Sequence, residues 1–168
     1  MKNIFIYFFL MASLLCLAQT DPIPDNQANR FWDHVRFGGG LGLSFGNDIT
    51  VINVSPSAIY DFQNNFALGI GLGYLYSKNG DFRSNVISPG LIALYNPANE
   101  LQLSAEFEQL FVNQKLGNES FSYDYPALYL GVAYRTGFAS FGIRYDALYD
   151  ERDSIFASPW SPIIRVYF

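Results

Sequence analysis

The segment FALGIGLGYLY, residues 66–76, places a large apolar side chain at every second position and, as far as residue 73, a small one between them. Alternation with a period of two predicts a β-strand whose two faces differ in character. One face is apolar and aromatic, and the other carries Ala67, Gly69, Gly71 and Gly73 before Leu75. A glycine face offers nothing to water, so the assignment of inside and outside decides the fold.

The same alternation recurs along the chain, with turn residues between the runs. It predicts eight strands, at about 33–45, 49–60, 66–76, 85–95, 101–111, 124–135, 138–149 and 156–168. Alternation is weakest in the second and fourth strands. Helical periodicity is absent after residue 19, and no later apolar run reaches the ~18 residues of a spanning helix.

Composition favours an apolar exterior. The chain has 16 Phe and 12 Tyr, more than a small aqueous domain would bury, and beyond residue 18 its only lysines are Lys78 and Lys115. Soluble surfaces usually mix lysine and glutamate across their elements. The net charge of −5 argues against a nucleic-acid partner.

These observations predict an all-β fold, an eight-stranded antiparallel up-and-down transmembrane β-barrel. In such a barrel the apolar face meets lipid, and glycine, serine and charged side chains fill a narrow lumen. Strands of ~10–12 residues, at ~3.3 Å per residue and ~40° tilt, span the ~25 Å apolar band. Aromatic residues also cluster near both ends of the strands, as interfacial girdles do.

The chain divides into three predicted parts. Lys2, the apolar run 4–15 and the small residues Cys16 and Ala18 are typical of a secretory signal peptide, residues 1–18, cleaved near Ala18. Residues 19–31 are predicted to be a flexible periplasmic leader, and residues 32–168 the outer-membrane barrel. Cleavage removes the only cysteine, and with it any disulfide or thiol chemistry.

Loop lengths predict the orientation. The short periplasmic turns are predicted to be DFQNN, NPANE and TG. The external loops are predicted to be SKNGDFRS, NQKLGNESFS and DERDS, with GND at 46–48 as a short exception on the external side.

Proline in a paired strand loses a ladder hydrogen bond, so bulges or frayed pairing are expected at four positions: Pro56, Pro89, Pro126 and Pro162.

Six charged residues share the inward face: Arg36, Glu106, Glu108, Arg144, Asp146 and Arg165. Charges away from water must be paired and hydrogen-bonded, so this balanced set predicts a structural ion-pair network that plugs the lumen. The functional alternative is an ion path or a catalytic acid–base pair.

Candidate catalytic, cofactor and metal residues are not predicted. His34 is the only histidine and cannot build a histidine metal cage or, alone, a triad. FGGGLG, residues 37–42, lacks the spacing and the following helix of a phosphate-binding loop. No cofactor is expected, and the protein is predicted not to be an enzyme.

The closing segment PIIRVYF alternates and stops at Phe168; with Val166, this resembles the C-terminal signal that the barrel assembly machinery reads. VSPSAIYDFQNNFALGIGLGY, RFGGGLGLSFGN, LQLSAEFEQL and FGIRYDALYDE resemble small eight-stranded outer-membrane barrels of Bacteroidetes, of flavobacterial type. Such chains are sometimes labelled α-ketoglutarate decarboxylase. That reaction uses thiamine diphosphate, whose GDG…N motif is absent here.

The predicted role is that of a small integral outer-membrane barrel in a Gram-negative envelope, structural or interactive. Its expected partners are outer-membrane lipid, the assembly machinery and a protein bound at the 113–123 loop. Three alternatives remain open: an outer-membrane lipid-modifying enzyme, a narrow pore, and a soluble lipocalin-like carrier with the apolar face inside.

Overall fold

The computed structural model describes residues 31–45, 49–117 and 119–168, with backbone only for 43–45 and 49. The predicted signal peptide, residues 19–30 of the leader and the GND turn lie outside these ranges. Eight antiparallel strands follow one another around a closed barrel. They are β1 (Val35–Phe45), β2 (Ile49–Asp61), β3 (Phe66–Asn79), β4 (Phe82–Ala98), β5 (Leu101–Leu116), β6 (Glu119–Thr136), β7 (Ala139–Asp146) and β8 (Trp160–Tyr167).

The barrel belongs to a compact unit, His34–Phe168, and the described residues 31–33 belong to a separate N-terminal unit. In the described part of that N-terminal unit, the rings of Phe31 and Trp32 pack edge to face at 5.3 Å. None of the helical structure in the described ranges is long and apolar enough to cross a membrane.

The predicted assignment of the apolar face to the outside of the barrel and the charged face to the inside agrees with the exposed fractions of the side chains. Ile70 and Leu91 on the outer face are 63% and 62% exposed, whereas Glu106 and Ala127 on the inner face are buried. The weak alternation of β2 and β4 also has a structural reason. Their inner faces carry apolar residues as well, because Ile59, Val86 and Leu94 pack inside the barrel.

Two predicted external loops are largely strand. The ladder between β5 and β6 continues through Val112↔Tyr123 to Leu116↔Glu119, so the predicted 113–123 loop is the end of a long hairpin. The ladder between β3 and β4 likewise reaches Asn79↔Phe82. Polar side chains do not interrupt backbone pairing, and the chain reverses where Gly80 and Gly117 adopt φ of 58° and 59°.

The four strand prolines fray the sheet without shifting its register. Each proline is paired with one neighbouring strand: Gly39↔Pro56, Leu72↔Pro89, Gln109↔Pro126 and Ile143↔Pro162. On the side of the next strand, pairing is missing. The β2–β3 ladder skips from Val54 to Ser57, and the β4–β5 ladder skips from Ile87 to Gly90.

The other two prolines lie beyond the ends of a ladder. β6–β7 pairing starts only at Tyr129, and β8–β1 pairing includes only Arg165 to Tyr167. Proline has no N–H to donate, so the expected frayed pairing occurs, but no bulge accompanies it. The register shift in the described ladders lies between Tyr95 and Ala98, around Pro97.

The barrel closes through three residue pairs between β8 and β1, fewer than in the other ladders. Gly38, Gly39 and Gly40 provide the β1 side. A Cβ on Gly38 would overlap the carbonyl oxygen of Val166 and lie 2.6 Å from Cδ1 of Tyr167. The glycine run in FGGGLG therefore allows the close approach that seals the sheet.

Replacing Gly38 with valine should weaken closure. We expect Gly38→Val to lower the free energy of unfolding by about 1–3 kcal/mol, because the new side chain overlaps β8. Urea unfolding in detergent micelles, followed by tryptophan fluorescence, measures the change. Gly42→Ala is the control, since a Cβ there lies 3.5 Å from Cβ of Asn53, an ordinary contact. Equal urea midpoints for the two variants would contradict this role of Gly38.

Candidate functional site: the barrel interior

Glu106 is the centre of the charged cluster inside the barrel. Its Oε1 accepts hydrogen bonds from Nη2 of Arg165 at 2.8 Å and from Oγ of Ser104 at 3.1 Å. Its Oε2 accepts one from Nη1 of Arg144 at 3.3 Å. The side chains of Glu106 and Arg165 are only 5% and 9% exposed. One carboxylate therefore pairs with two guanidinium groups away from bulk water, and Glu108 supplies the second negative charge.

Arg144 is held from several sides. Nη1 also contacts Oε1 of Glu108 at 3.3 Å, and Nε donates to Oγ of Ser161 at 3.1 Å. The guanidinium carbon lies 3.9 Å from the ring centroid of Tyr129, a cation–π distance. These contacts fix the orientation of the side chain and connect β5, β6, β7 and β8.

A glycine on β6 leaves space for this cluster. In the register, Gly131 lies between Ser104 of β5 and Arg144 of β7. A Cβ on Gly131 would overlap Oγ of Ser104 and lie 2.7 Å from Cδ1 of Ile163. The missing side chain leaves room for the β7 guanidinium beside the β5 carboxylates.

The structure brings four of the six predicted charges together, Glu106, Glu108, Arg144 and Arg165. Arg36 pairs instead with Asp61 at 3.0 Å, with 51% of its side chain exposed. The sequence prediction missed this pair because Asp61 ends β2, next to the predicted turn. Nη1 of Arg165 is buried without a hydrogen-bond partner among the described residues.

Asp146 anchors backbone instead of joining the ion pairs. Its Oδ1 accepts hydrogen bonds from the backbone N–H of Leu128 at 3.1 Å and of Leu148 at 3.0 Å. The carboxylate thus fixes the point where β7 ends.

The two residues predicted as an assembly signal lie where the barrel closes. Val166 pairs with Gly39 and Ala139, and the ring of Phe168 stacks on Phe138 at 6.0 Å.

Apolar clusters lie inside the barrel on both sides of the charges. Near the start of β1 and the end of β8, Ile59, Ala67, Leu94 and Tyr167 pack together, and Oγ of Ser57 donates to Oη of Tyr167 at 3.1 Å. Towards the other end, a second cluster consists of Val86, Leu110, Val112, Ala127 and Tyr129.

The β7–β8 connection, residues 147–159, contributes to this second cluster. The predicted DERDS loop is longer than expected, because β7 ends at Asp146 and β8 begins at Trp160. Ile155 and Phe156 pack against the interior cluster. The N–H of Ile155 donates to Oη of Tyr125 at 3.2 Å. On the exposed side of the connection, a hydrogen bond from Arg152 lowers the pKa of Asp150.

The side chains leave a cavity of about 520 Å³ inside the barrel. One side is the small-residue wall of β1, β2 and β3, including Gly40, Ser55 and Gly71; another contains Glu108 and Arg144. The predicted plug is therefore incomplete. The glycine face of the segment 66–76 is the wall of an internal space.

No cluster of three or more His, Cys, Asp or Glu residues suited to a metal ion occurs in the part of the chain that the structure describes. His34 precedes β1, and its ring stacks with Tyr60 at 5.6 Å.

No family model, curated protein or solved structure matches the chain.

Removing the central carboxylate should be costly. We expect Glu106→Gln to lower the free energy of unfolding by about 3–5 kcal/mol, because buried Arg165 loses its counter-charge and Arg144 keeps only Glu108. Arg36→Gln is the control at the exposed pair with Asp61, where we expect less than about 1 kcal/mol. Urea unfolding of both variants in the same micelles gives the comparison. Similar losses would mean that the interior pairs do not stabilise the barrel more than the exposed one.

Proposed function

We propose that this protein is an integral outer-membrane β-barrel with a structural or interaction role. The observation that carries the proposal is the outer surface, where large apolar side chains are exposed on every strand. They include Phe37, Leu41, Val54, Leu68, Ile70, Leu72, Ile87, Leu91, Leu103, Phe107, Leu130, Val132, Phe141, Ile143 and Ile164. A surface of this kind needs lipid around it.

Aromatic rings at both ends of the apolar surface support the same proposal. Near the termini, ring centroids of Tyr60 and Phe62 are 5.0 Å apart. At the opposite end, Tyr145 and Trp160 are 4.9 Å apart. The strand segment from Phe66 to Tyr76, at ~3.3 Å per residue and ~40° tilt, covers about 25–30 Å, the height of a membrane-spanning band.

The interior argues against two alternatives. A soluble lipocalin-like carrier would place its Leu, Phe and Tyr face inside, whereas here the inner face holds Glu106 and Arg165. A narrow pore needs an open lumen, and apolar clusters pack at both sides of the charged residues. The sequence resemblance to small outer-membrane barrels of flavobacterial type agrees with the proposal.

The β5–β6 hairpin is the part we propose for a protein partner. β5 and β6 have 16 and 18 residues, which at ~3.3 Å per residue and ~40° tilt cover about 40–45 Å. The hairpin therefore projects beyond a ~25 Å apolar band. Leu116 and Phe121 are exposed near its tip, on a rigid ladder that replaces the expected loop.

A charge on the lipid-facing surface tests membrane insertion. We expect Ile70→Arg to destabilise the inserted barrel by about 2–4 kcal/mol, because the guanidinium lies near the middle of the bilayer. The measurement is the urea midpoint and the folding yield in phosphatidylcholine vesicles. Asn64→Arg, in the exposed turn between β2 and β3, is the control and should change neither. If Ile70→Arg behaves like this control, the apolar face does not contact lipid.

A further inference from the structure

Of the interruptions of the sheet beside the internal cavity, two lie at its small-residue wall. The larger one, which we call the seam, separates Leu41–Phe45 of β1 from Trp160–Ile164 of β8, where no pairing occurs. The smaller one is the missing pairing at Ser55 and Pro56 between β2 and β3. Unpaired strand edges are costly in hydrocarbon unless they are buried in protein or line a water-filled cavity. Both interruptions adjoin the cavity.

The cavity lies directly inside these interruptions. Its lining includes Leu41 and Ile164, two residues on opposite sides of the seam whose side chains are exposed on the outer face. Pro56 and Leu72, exposed beside the smaller interruption, also contribute to the lining. Strand pairing is therefore missing between this space and the outer surface, towards the end marked by the rings of Tyr145 and Trp160.

Much of the cavity lining suits hydrocarbon. Several of its polar groups already have partners within the protein: Oγ of Ser55 donates to the carbonyl of Gly40, and Oγ of Ser57 donates to Tyr167. The carboxylates of Glu106 and Glu108 are paired with arginine. The apolar part of the lining includes Val86, Leu110, Ile155, Phe156 and Ile163, and the polar part also includes Asn53, Ser88 and Arg165.

Glycine creates the space. Gly42, Gly71 and Gly73 line the cavity where side chains would otherwise point inward. A Cβ on Gly42 or Gly71 would meet nothing closer than 3.5 Å and 3.2 Å, so the backbone does not require glycine at either position. The volume of about 520 Å³ lies within the ~300–1,000 Å³ typical of small-molecule sites.

We propose that this cavity binds one acyl chain of an outer-leaflet lipid, which enters from the side through the seam. The headgroup would stay at the membrane surface near Trp160, and the methyl end would lie along the glycine wall. This inference rests on the proposed membrane location. It assigns the barrel a lipid-binding site that its structural role does not require.

Photocrosslinking tests the proposal. The probe is palmitic acid with a diazirine at its terminal carbon, added to the full chain folded in phosphatidylcholine vesicles. After illumination, mass spectrometry locates the attached residues. We expect attachment at interior residues such as Val86, Leu110 and Phe156, together with attachment at lipid-facing residues such as Leu91. Attachment at lipid-facing residues alone, as a water-filled cavity would give, would overturn the proposal.

Two variants obstruct the site, and a third is a matched control. Gly42→Leu places a side chain in the cavity beside Asn53, and Gly71→Leu places one beside the flexible end of Ile92. Each should reduce interior attachment at least fivefold and leave Leu91 unchanged. Ala105→Leu, on the outer face of β5, should change neither. Unchanged interior attachment in both obstructing variants would contradict entry into this cavity.

The readout separates this inference from the proposed function. Attachment at lipid-facing residues reports insertion independently of the cavity. If it is present without interior attachment, the membrane location stands and the acyl-chain site fails. If the chain gives no attachment at Leu91 or its outward neighbours, both fail.

Discussion

Closure of the sheet is the constraint on which the rest of the structure depends. A barrel with an apolar exterior must pair its first and last strands, because unpaired backbone groups are costly in hydrocarbon. Here the closing ladder consists of three residue pairs, and all three β1 members are glycine. The short ladder holds β1 and β8 together and leaves the seam unpaired beyond it.

A narrow barrel then determines what its interior can hold. Glu106 and Glu108 balance Arg144 and Arg165, and Gly131 leaves room for Ser104 and Ile163 beside them. On the opposite side, glycine and serine leave a cavity instead of a second plug. The interior thus combines a rigid charged half with an open, mostly apolar half, and only the first half was expected from charge balance.

Much of the fold could be predicted from alternation alone. The eight strands and the assignment of the apolar face to the exterior of the barrel agree with the structure. The assignment is well determined, because a shift of one residue along a strand would move every side chain to the opposite face. Strand ends were less predictable. Polar residues 113–116 and 119–122 continue the ladder, and β7 stops early because Asp146 binds backbone N–H groups.

The site was predictable only in part for the same reason. The alternation of side chains along each strand places Arg36 and Glu106 on the same face of the sheet. It gives no information on their height along the barrel axis, so the distance between them could not be predicted. Ile155 and Phe156 lie in an irregular connection, where side chains do not alternate between two faces, so their packing inside the barrel could not be predicted. The cavity itself follows from the side chains that glycine lacks, and the strand pairing beside it is missing at Pro56 and before Pro162.

The central claim is that the apolar face meets lipid and the charged face is enclosed. The most direct measurement expresses the full chain in a Gram-negative host, separates the membranes and compares boiled with unboiled samples on a detergent gel. Recovery in the outer membrane with a heat-dependent mobility shift is the predicted result. A water-soluble monomer without a shift would contradict the account and place the apolar face inside.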